Sequence, residues 1–328
     1  MPTMKDVALR ANVGVGTVSR YINQPDSLKE STRLKVERAI QELRYEPNEA
    51  ARNFKKRQSQ SIALIIPTVW HPFYSEFAYH VERELFRRQF KLILCNSRNE
   101  AEREIEYIDM LKKNQIDGII AITYSEEIDS YVTSSLPIVS IDRHFQEDVV
   151  YVSSDHLQGG RIAGEQLVKR GCRSIAYVGS KSKIENESML RKVGFEQYAS
   201  EHAISYEIVE MNEPITDKHH VIRDFLQQND SVDGLFCMND AWAIAALEVC
   251  NELKKEVPRD LQIIGFDGTR KSMEDRLTHS TIRQSIETLA LTAVDALLMQ
   301  VNQMETNRKY IIPVEFFEGN TTKLLTSE

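Results

Sequence analysis

TMKDVALRANVGVGTVSRYIN, residues 3–23, reads as two short helices joined by a tight turn. Thr3 with Asp6 makes a capping-box-like start for a helix to about Ala11, with Val7, Ala8 and Ala11 as its apolar face. Asn12-Val13-Gly14 breaks that helix, and Gly14 is expected to supply the φ > 0 of the sharp turn. A second helix runs from Val15 to about Asn23. Val18 and Ile22 point inward, leaving Val15, Gly16, Thr17, Ser19 and Arg20 on or near the outer side. Further on, Val36, Ala39, Ile40 and Leu43 repeat at i, i+3, i+4 and i+7, marking a third helix that closes a small core.

In a helix-turn-helix the second helix enters the major groove, and its N-terminal residues meet base edges. Arg20 could donate two bonds to guanine, and Val15 could pack on a thymine methyl. Thr17 and Ser19 better suit phosphate. Charge distribution supports this reading. Residues 1–60 carry 12 Lys/Arg against 7 Asp/Glu, a net of +5, within a chain of net −8. Residues 61–328 therefore carry 29 against 42, a net of −13. Phosphate neutralisation is thus confined to a small positive head. A short helix pair also fits a small bundle with no nucleic-acid role. The exposed TVSR, the local charge and the basic segment PNEAARNFKKR at 47–57 favour DNA.

At 328 residues the chain is too long for one compact domain, and a head of about 60 residues with a large body fits the size prior. Hydrophobic residues make up 41%, enough for the body to bury a core. No run of about 18 apolar residues argues for a membrane span. MPTMKDV has no apolar leader region, so a cytoplasmic location is expected. Cys95, Cys172, Cys237 and Cys250 lie in apolar surroundings without CxxC spacing and read as buried free thiols.

From Ser61 onward, short β-branched runs alternate with amphipathic helical segments. SIALIIP, KLILC, DGIIAI and IVSID read as strands, with helices from Pro72 to about Gln89 and over Ala101–Asn114. After Asp155 the pattern restarts with the helix GGRIAGEQLVKR and the strand SIAYVG. A helix near Arg191–Ser200, a strand near Tyr206–Glu210 and a helix over Thr216–Gln228 come next. The strand DGLFCM, the helix Ala241–Leu253 and the strand LQIIGF complete it. Such alternation implies parallel sheets with right-handed crossovers. Two such runs predict two doubly wound lobes, with ligands in the crevice at the strands' carboxyl ends.

The sequence resembles the lactose-repressor (LacI/GalR) family of bacterial transcription regulators. The matching residues are KDVA at Lys5–Ala8, TVSR at Thr17–Arg20, Asn23, Thr32-Arg33, Val36 and YEPNEAAR at Tyr45–Arg52. Their order and spacing are highly specific, and the resemblance continues to about residue 317. It implies a helix-turn-helix domain over 1–47, a hinge helix and linker over 48–60, and an effector-binding and dimerisation domain over 61–328. That last domain would resemble a periplasmic sugar-binding protein, the chain crossing three times between lobes. Lobe one would hold about 61–156 and 286–313, and lobe two about 157–285 and 314–328, including a C-terminal strand IIPVEFF.

Within the segment 48–60, Asn48 can cap a helix over Glu49–Lys55, with Pro47 fixing its entry. So short a helix is unstable alone in water and needs a partner. The resemblance implies that the partner is the same segment of a second subunit on the minor groove. Phe54 stands where the family usually has a Leu that wedges between central base pairs. A flexible linker with Phe54 packed on the body is the plainer alternative. The DNA-contacting set expected is Thr3, Val15, Gly16, Thr17, Ser19, Arg20, Asn23, Asn48, Ala51, Arg52, Phe54 and Lys55. Two glycines depart from the family. Gly14 replaces a usual Ser, and Gly16 occupies a position that often reads a base, so specificity leans on Val15 and Arg20.

Candidate ligand residues stand just after strands. In the first lobe they are Trp70 and Phe73 in the segment 67–73, Tyr124, and Arg143 of the pair Asp142-Arg143, with Asp155 before the next helix. In the second they are Arg191, Asn239, Trp242, Asp267 and Gln284. Arg191 and Asp267 match effector-binding positions of the family. Carboxylates, amides and a guanidinium can bond paired sugar hydroxyls while an aromatic face covers the ring's C–H side. Plainer roles compete at several positions: Asp240 or Asp155 as helix caps, Trp70 and Trp242 as packing. Asp267-Gly268 replaces paired aspartates and leaves the effector's identity open. His71, His144, His219 and His220 have no partner at metal spacing, so core or solvated histidines are expected, with no metal and no cofactor.

The expected protein is a dimeric, sequence-specific transcription regulator, a repressor of carbohydrate-utilisation genes binding a near-palindromic operator. Its partners would be that DNA, a small sugar or sugar phosphate, and a second copy of the chain. Some relatives respond instead to a corepressor or a phosphorylated carrier protein. A solute-binding protein without gene regulation fits poorly with the DNA-reading head. An enzyme fits poorly with a chain lacking G-x-G-x-x-G, a Walker loop, a metal cluster or a nucleophile elbow.

Overall fold

The structure, a computed structural model, describes residues 2–45, 59–270, 272 and 274–325. The chain forms two compact units, Met1–Ser59 and Gln60–Glu328.

In the first unit, helix α1 spans Met4–Ala11, α2 Val15–Asn23 and α3 Glu30–Leu43. The capping box forms: Thr3 Oγ1 accepts from the Asp6 amide at 3.3 Å, and Asp6 Oδ2 accepts from the Thr3 amide at 2.7 Å. The turn departs from expectation. Asn12 takes the left-handed conformation at φ 51, while Gly14 is extended at φ −71 and serves as the N-cap of α2. Asparagine tolerates that region better than other L-residues, so the glycine is not needed there. Val7, Ala8, Ala11, Val18, Val36, Ala39 and Tyr45 form the buried centre.

The second unit opens with β1 (Ser61–Ile66), α4 (Pro72–Arg87), β2 (Lys91–Asn96), α5 (Ala101–Lys112), β3 (Gly118–Ala121), β4 (Ile138–Ile141) and β5 (Val150–Ser154). It continues through α6 (His156–Lys169), β6 (Ser174–Lys181), α7 (Leu190–Glu201), β7 (Ser205–Asn212), α8 (Lys218–Gln228), β8 (Gly234–Cys237), α9 (Asp240–Glu252) and β9 (Gln262–Asp267). β10 (Thr281–Gln284), α10 (Ile286–Val301), β11 (Lys309–Ile312) and β12 (Val314–Phe317) complete it. One sheet runs β11-β5-β4-β3-β1-β2 and is wholly parallel. The other runs β12-β10-β9-β8-β6-β7, parallel except for β12 at its edge.

The sequence of β1 shows why both faces are covered. Ile62, Leu64 and Ile66 join one core with α4 and α10, while Ala63 and Ile65 join a second with α5. A strand apolar on both faces suits a sheet between two helical layers, and each buried Ile or Leu contributes roughly 1.5–3 kcal/mol. In both sheets the order reverses beside the first strand, so the loops after β1 and β3, and after β6 and β8, diverge to leave a crevice.

The chain passes between sheets at Asp155, at Ser285 and at Pro313. Pro313 has no amide to donate, and it divides IIPVEFF into two strands of different sheets where one C-terminal strand was expected. Val150–Ser154, Thr281–Gln284 and Ile286–Val301 are elements absent from the periodicity reading. The two strands are short, and their burial comes from neighbours rather than from alternation. All four cysteines are buried and free, and burial pushes the Cys95 and Cys172 thiols up to about 12.

Candidate functional site

A crevice of about 890 Å³ opens where the carboxyl ends of both sheets face each other. Seven of the expected ligand residues line it: Phe73, Tyr124, Arg191, Asn239, Trp242, Asp267 and Gln284. Phe73 sits in the first turn of α4, its ring stacked on Phe77 at 6.2 Å and edge-on to Tyr74 at 5.6 Å. Tyr124 leaves β3 with its hydroxyl 3.5 Å from that of Tyr74. Burial pushes the Tyr124 phenol up to about 12 and the Tyr74 phenol well above its ordinary value, so both are neutral hydroxyls. Asn239 caps α9 by accepting from the Trp242 amide at 3.1 Å, and Trp242 both packs in the second lobe's core and borders the crevice. Asp240 is not the cap: it accepts from the Thr269 amide at 2.7 Å and the Thr281 hydroxyl at 2.6 Å.

Arg191 is the centre of the arrangement. It is seated by a backbone-to-backbone approach of α6 and α7, where a Cβ at Gly160 would stand 1.9 Å from the Arg191 carbonyl oxygen. Its guanidinium carbon lies 3.7 Å from the centre of the Phe266 ring. Nη1 donates to the Met238 carbonyl at 2.6 Å, and Nη2 lies 3.3 Å from Asp267 Oδ1. Nε donates to His156 Nδ1 at 3.1 Å. His156 Nε2 in turn is 2.9 Å from Asp142 Oδ1, which also accepts from the Ser153 hydroxyl at 2.7 Å. On the other side Gln284 donates to Asp267 Oδ1 at 2.8 Å. A continuous polar chain therefore runs from Asp142 at the end of β4 to Gln284 at the end of β10. Burial pushes the Asp267 carboxyl up to about 7, with the Arg191 charge opposing it.

Three expected ligand residues do not line the crevice. Trp70 is 91% exposed. Arg143 turns into the first lobe, donating to Asp129 Oδ1 at 2.6 Å and to Thr123 Oγ1 at 3.1 Å. Asp155 caps α6, accepting from the Gln158 amide at 3.0 Å. Conversely, His71 and His219, expected as core or solvated histidines, border the crevice with Tyr74, Asp142, Tyr177, Asn186 and Glu213. Burial, reinforced by the Arg191 charge, pushes the His71 imidazole down to about 4, so it is neutral. The signal for Asp142 was its place directly after a strand, the same place that marks Asp267.

In the first unit, α2 leaves Val15, Gly16 and Arg20 exposed, with Thr17 and Ser19 half-buried beside them. Thr3 spends its hydroxyl on Asp6, and the Asn23 amide donates to the Ser19 carbonyl at 2.7 Å. Asn48, Ala51, Arg52, Phe54 and Lys55 lie outside the described residues.

Residues 3–48 match the family described as bacterial regulatory proteins, lacI family, and residues 165–322 match a periplasmic binding protein-like domain. The sucrose operon repressor of Streptococcus mutans is 37% identical over 97% of this chain and 98% of that repressor. The chain belongs to the LacI family of bacterial regulatory proteins. Its fold agrees. The Lac repressor dimer bound to operator and the anti-inducer ONPF superposes with a TM-score of 0.84, at 23% identity, over 98% of both chains. A periplasmic binding protein/LacI transcriptional regulator from Alkaliphilus metalliredigens, complexed with D-xylulofuranose, gives a TM-score of 0.71 at 26% identity. It aligns with 81% of this chain and all of its own. Family membership makes the chain a DNA-binding transcription regulator, not an enzyme.

Proposed function

We propose that this LacI-family regulator is a dimeric repressor of carbohydrate-utilisation genes, released from or held on a near-palindromic operator by a small sugar in the crevice. The observation that carries this reading is the chain Asp142–His156–Arg191–Asp267–Gln284, all but the buried His156 bordering the crevice, from both lobes. Paired acceptors and donors beside Phe73, Tyr124 and Trp242 suit a polyhydroxylated ring with one apolar face. The sucrose operon repressor among the relatives and the D-xylulofuranose complex among the neighbours support a sugar of this class. Val15 and Arg20 would read bases, and the segment 48–60 of two subunits would meet on the minor groove.

An effector changes DNA affinity only by its unequal affinity for the two states. Arg191→Ala and Asp267→Ala are therefore expected to keep operator binding and lose the response. The measurement is operator binding by fluorescence polarisation across a panel of sugars and sugar phosphates. Normal responses by both variants to the sugar that moves the parent would overturn the crevice assignment. A parent that answers only to a phosphorylated carrier protein would overturn the sugar.

A further inference from the structure

Residues that do not border the crevice hold two that do. The chain leaving β3 presents Tyr124 to the crevice, whereas Thr123 and Ser125 are buried away from it. The chain leaving β4 repeats the division: Asp142 borders the crevice and Arg143, 2% exposed, does not. Asp142 takes a left-handed backbone at φ 57, a region that most L-residues visit less often than the extended one.

The next residue, Arg143, is anchored away from the crevice. Nη1 donates to Thr123 Oγ1 at 3.1 Å, and Nη2 donates to Asp129 Oδ1 at 2.6 Å. The guanidinium carbon also lies 4.6 Å from the centre of the Phe145 ring. One planar group thereby ties the exit of β4 to the exit of β3 and to the 3-10 turn Glu127–Tyr131. Glu104 of α5 is fully buried nearby; burial raises its carboxyl and the Arg143 charge opposes the rise. Removing an arginine this deeply from water is costly, and apolar side chains in place of the whole Arg143–Asp129 pair could stabilise the lobe as well. The particular contribution of a forked guanidinium is direction, because its donors fix the angles of whatever they hold.

We propose that Arg143, held by Asp129 and Thr123, is a positioning residue of the effector crevice, fixing Tyr124 and Asp142 in place without touching the ligand. The purpose of that positioning rests on the crevice being the effector site, but its test needs no effector. Amide hydrogen exchange, followed by mass spectrometry on the full-length unliganded chain, is compared for the parent, Arg143→Met and Asp129→Asn. Segments 119–128 and 138–145 are expected to exchange at least tenfold faster, with segments 186–195 and 236–243 across the crevice unchanged. Asp129→Asn keeps the shape of the acceptor, so a folded variant is available even if Arg143→Met does not fold. Acceleration spread evenly through β1, α4 and the rest of the lobe would reduce Arg143 to a stabiliser of the core and overturn the proposal. Parental exchange in both segments would also overturn it. Neither result would bear on whether sugars bind, which the polarisation titration decides separately.

Discussion

The Arg191 Nε–H donates to His156 Nδ1 across 3.1 Å, and this one bond fixes the imidazole's tautomer. Arginine has no acceptor, so Nδ1 is bare and the ring proton sits on Nε2, 2.9 Å from Asp142 Oδ1. A line of close polar contacts thus passes from α7 in one lobe to the end of β4 in the other through a single imidazole. His156→Leu would leave the buried Arg191 Nε–H short of its bond, a cost of about 1–3 kcal/mol, and would take from Asp142 a close polar neighbour. His156→Gln can accept with its oxygen and donate with its nitrogen, and is expected to keep most of the stability. Urea unfolding of the three proteins measures the difference; equal losses for Leu and Gln would mean that the bonds contribute nothing beyond shape.

Asp267 gives a pH signature. Its folded value, about 7, lies above the ordinary carboxylate value of 3.8. A raised carboxyl contributes stability that is fully present below about pH 4 and is lost as pH climbs through 7. Asp267→Asn, which cannot ionise, should match the parent near pH 4 and exceed it near pH 8, by about 1–4 kcal/mol at roughly 1.36 kcal/mol per pH unit. His71, pushed down to about 4, works in the opposite sense over the same range, but it is common to both proteins and cancels in the comparison. Thermal unfolding at pH 4, 6 and 8 tests this. A parent–variant difference that does not change with pH would remove Asp267 as the titrating group.

On the DNA side, Arg20→Ala is expected to weaken specific binding by about 1–3 kcal/mol and to relax preference at one base pair in each half-site. Salt dependence, set by phosphate contacts, should change little. Binding-site selection followed by a salt titration separates the two effects. Uniform weakening across all sequences would reassign Arg20 to the backbone.

Phe54 is the fourth place to look. Each aromatic side chain buries about 150–250 Å², and a wide flat ring should insert best at an easily unstacked pyrimidine–purine step. Phe54→Ala should lower specific affinity and reduce DNA bending, with non-specific binding nearly unchanged, while Phe54→Leu keeps most of the bend. Circular-permutation gel shifts on one operator rank the variants. An undiminished bend with Phe54→Ala would return this residue to the linker.

What could be read from the sequence was whatever repeats. The helices α1 and α2 and the strand SIALII announce themselves through apolar spacing, and Arg191 and Asp267 through the resemblance and their place near strand ends. Single dihedral angles were not legible. Asn12 rather than Gly14 takes the left-handed turn, and no spacing distinguishes the two. Asp142 and Arg143 are adjacent after the same strand, yet one borders the crevice and the other is captured by Asp129, the left-handed backbone at Asp142 being invisible in a pattern of residue types. Trp70 looked like a stacking platform because aromatic rings usually find cover; here the ring is 91% exposed. His71 was hidden for a different reason: its neutrality comes from burial and from Arg191, more than a hundred positions away in the chain.

Pro313 separates two neighbouring strands that belong to different sheets, and the earlier passages at Asp155 and Ser285 do the same for the elements around them. Neither lobe is therefore a continuous stretch of gene. A chimera joined to a relative at a single point beyond Asp155 would inherit β11 and α10 from the wrong parent, leaving the first sheet to accept a foreign edge strand and a foreign helix. Exchanging effector specificity by recombination calls for three matched junctions. Point substitutions along the crevice, which leave every strand in its own sheet, are the shorter route by which such a regulator can come to answer a new sugar.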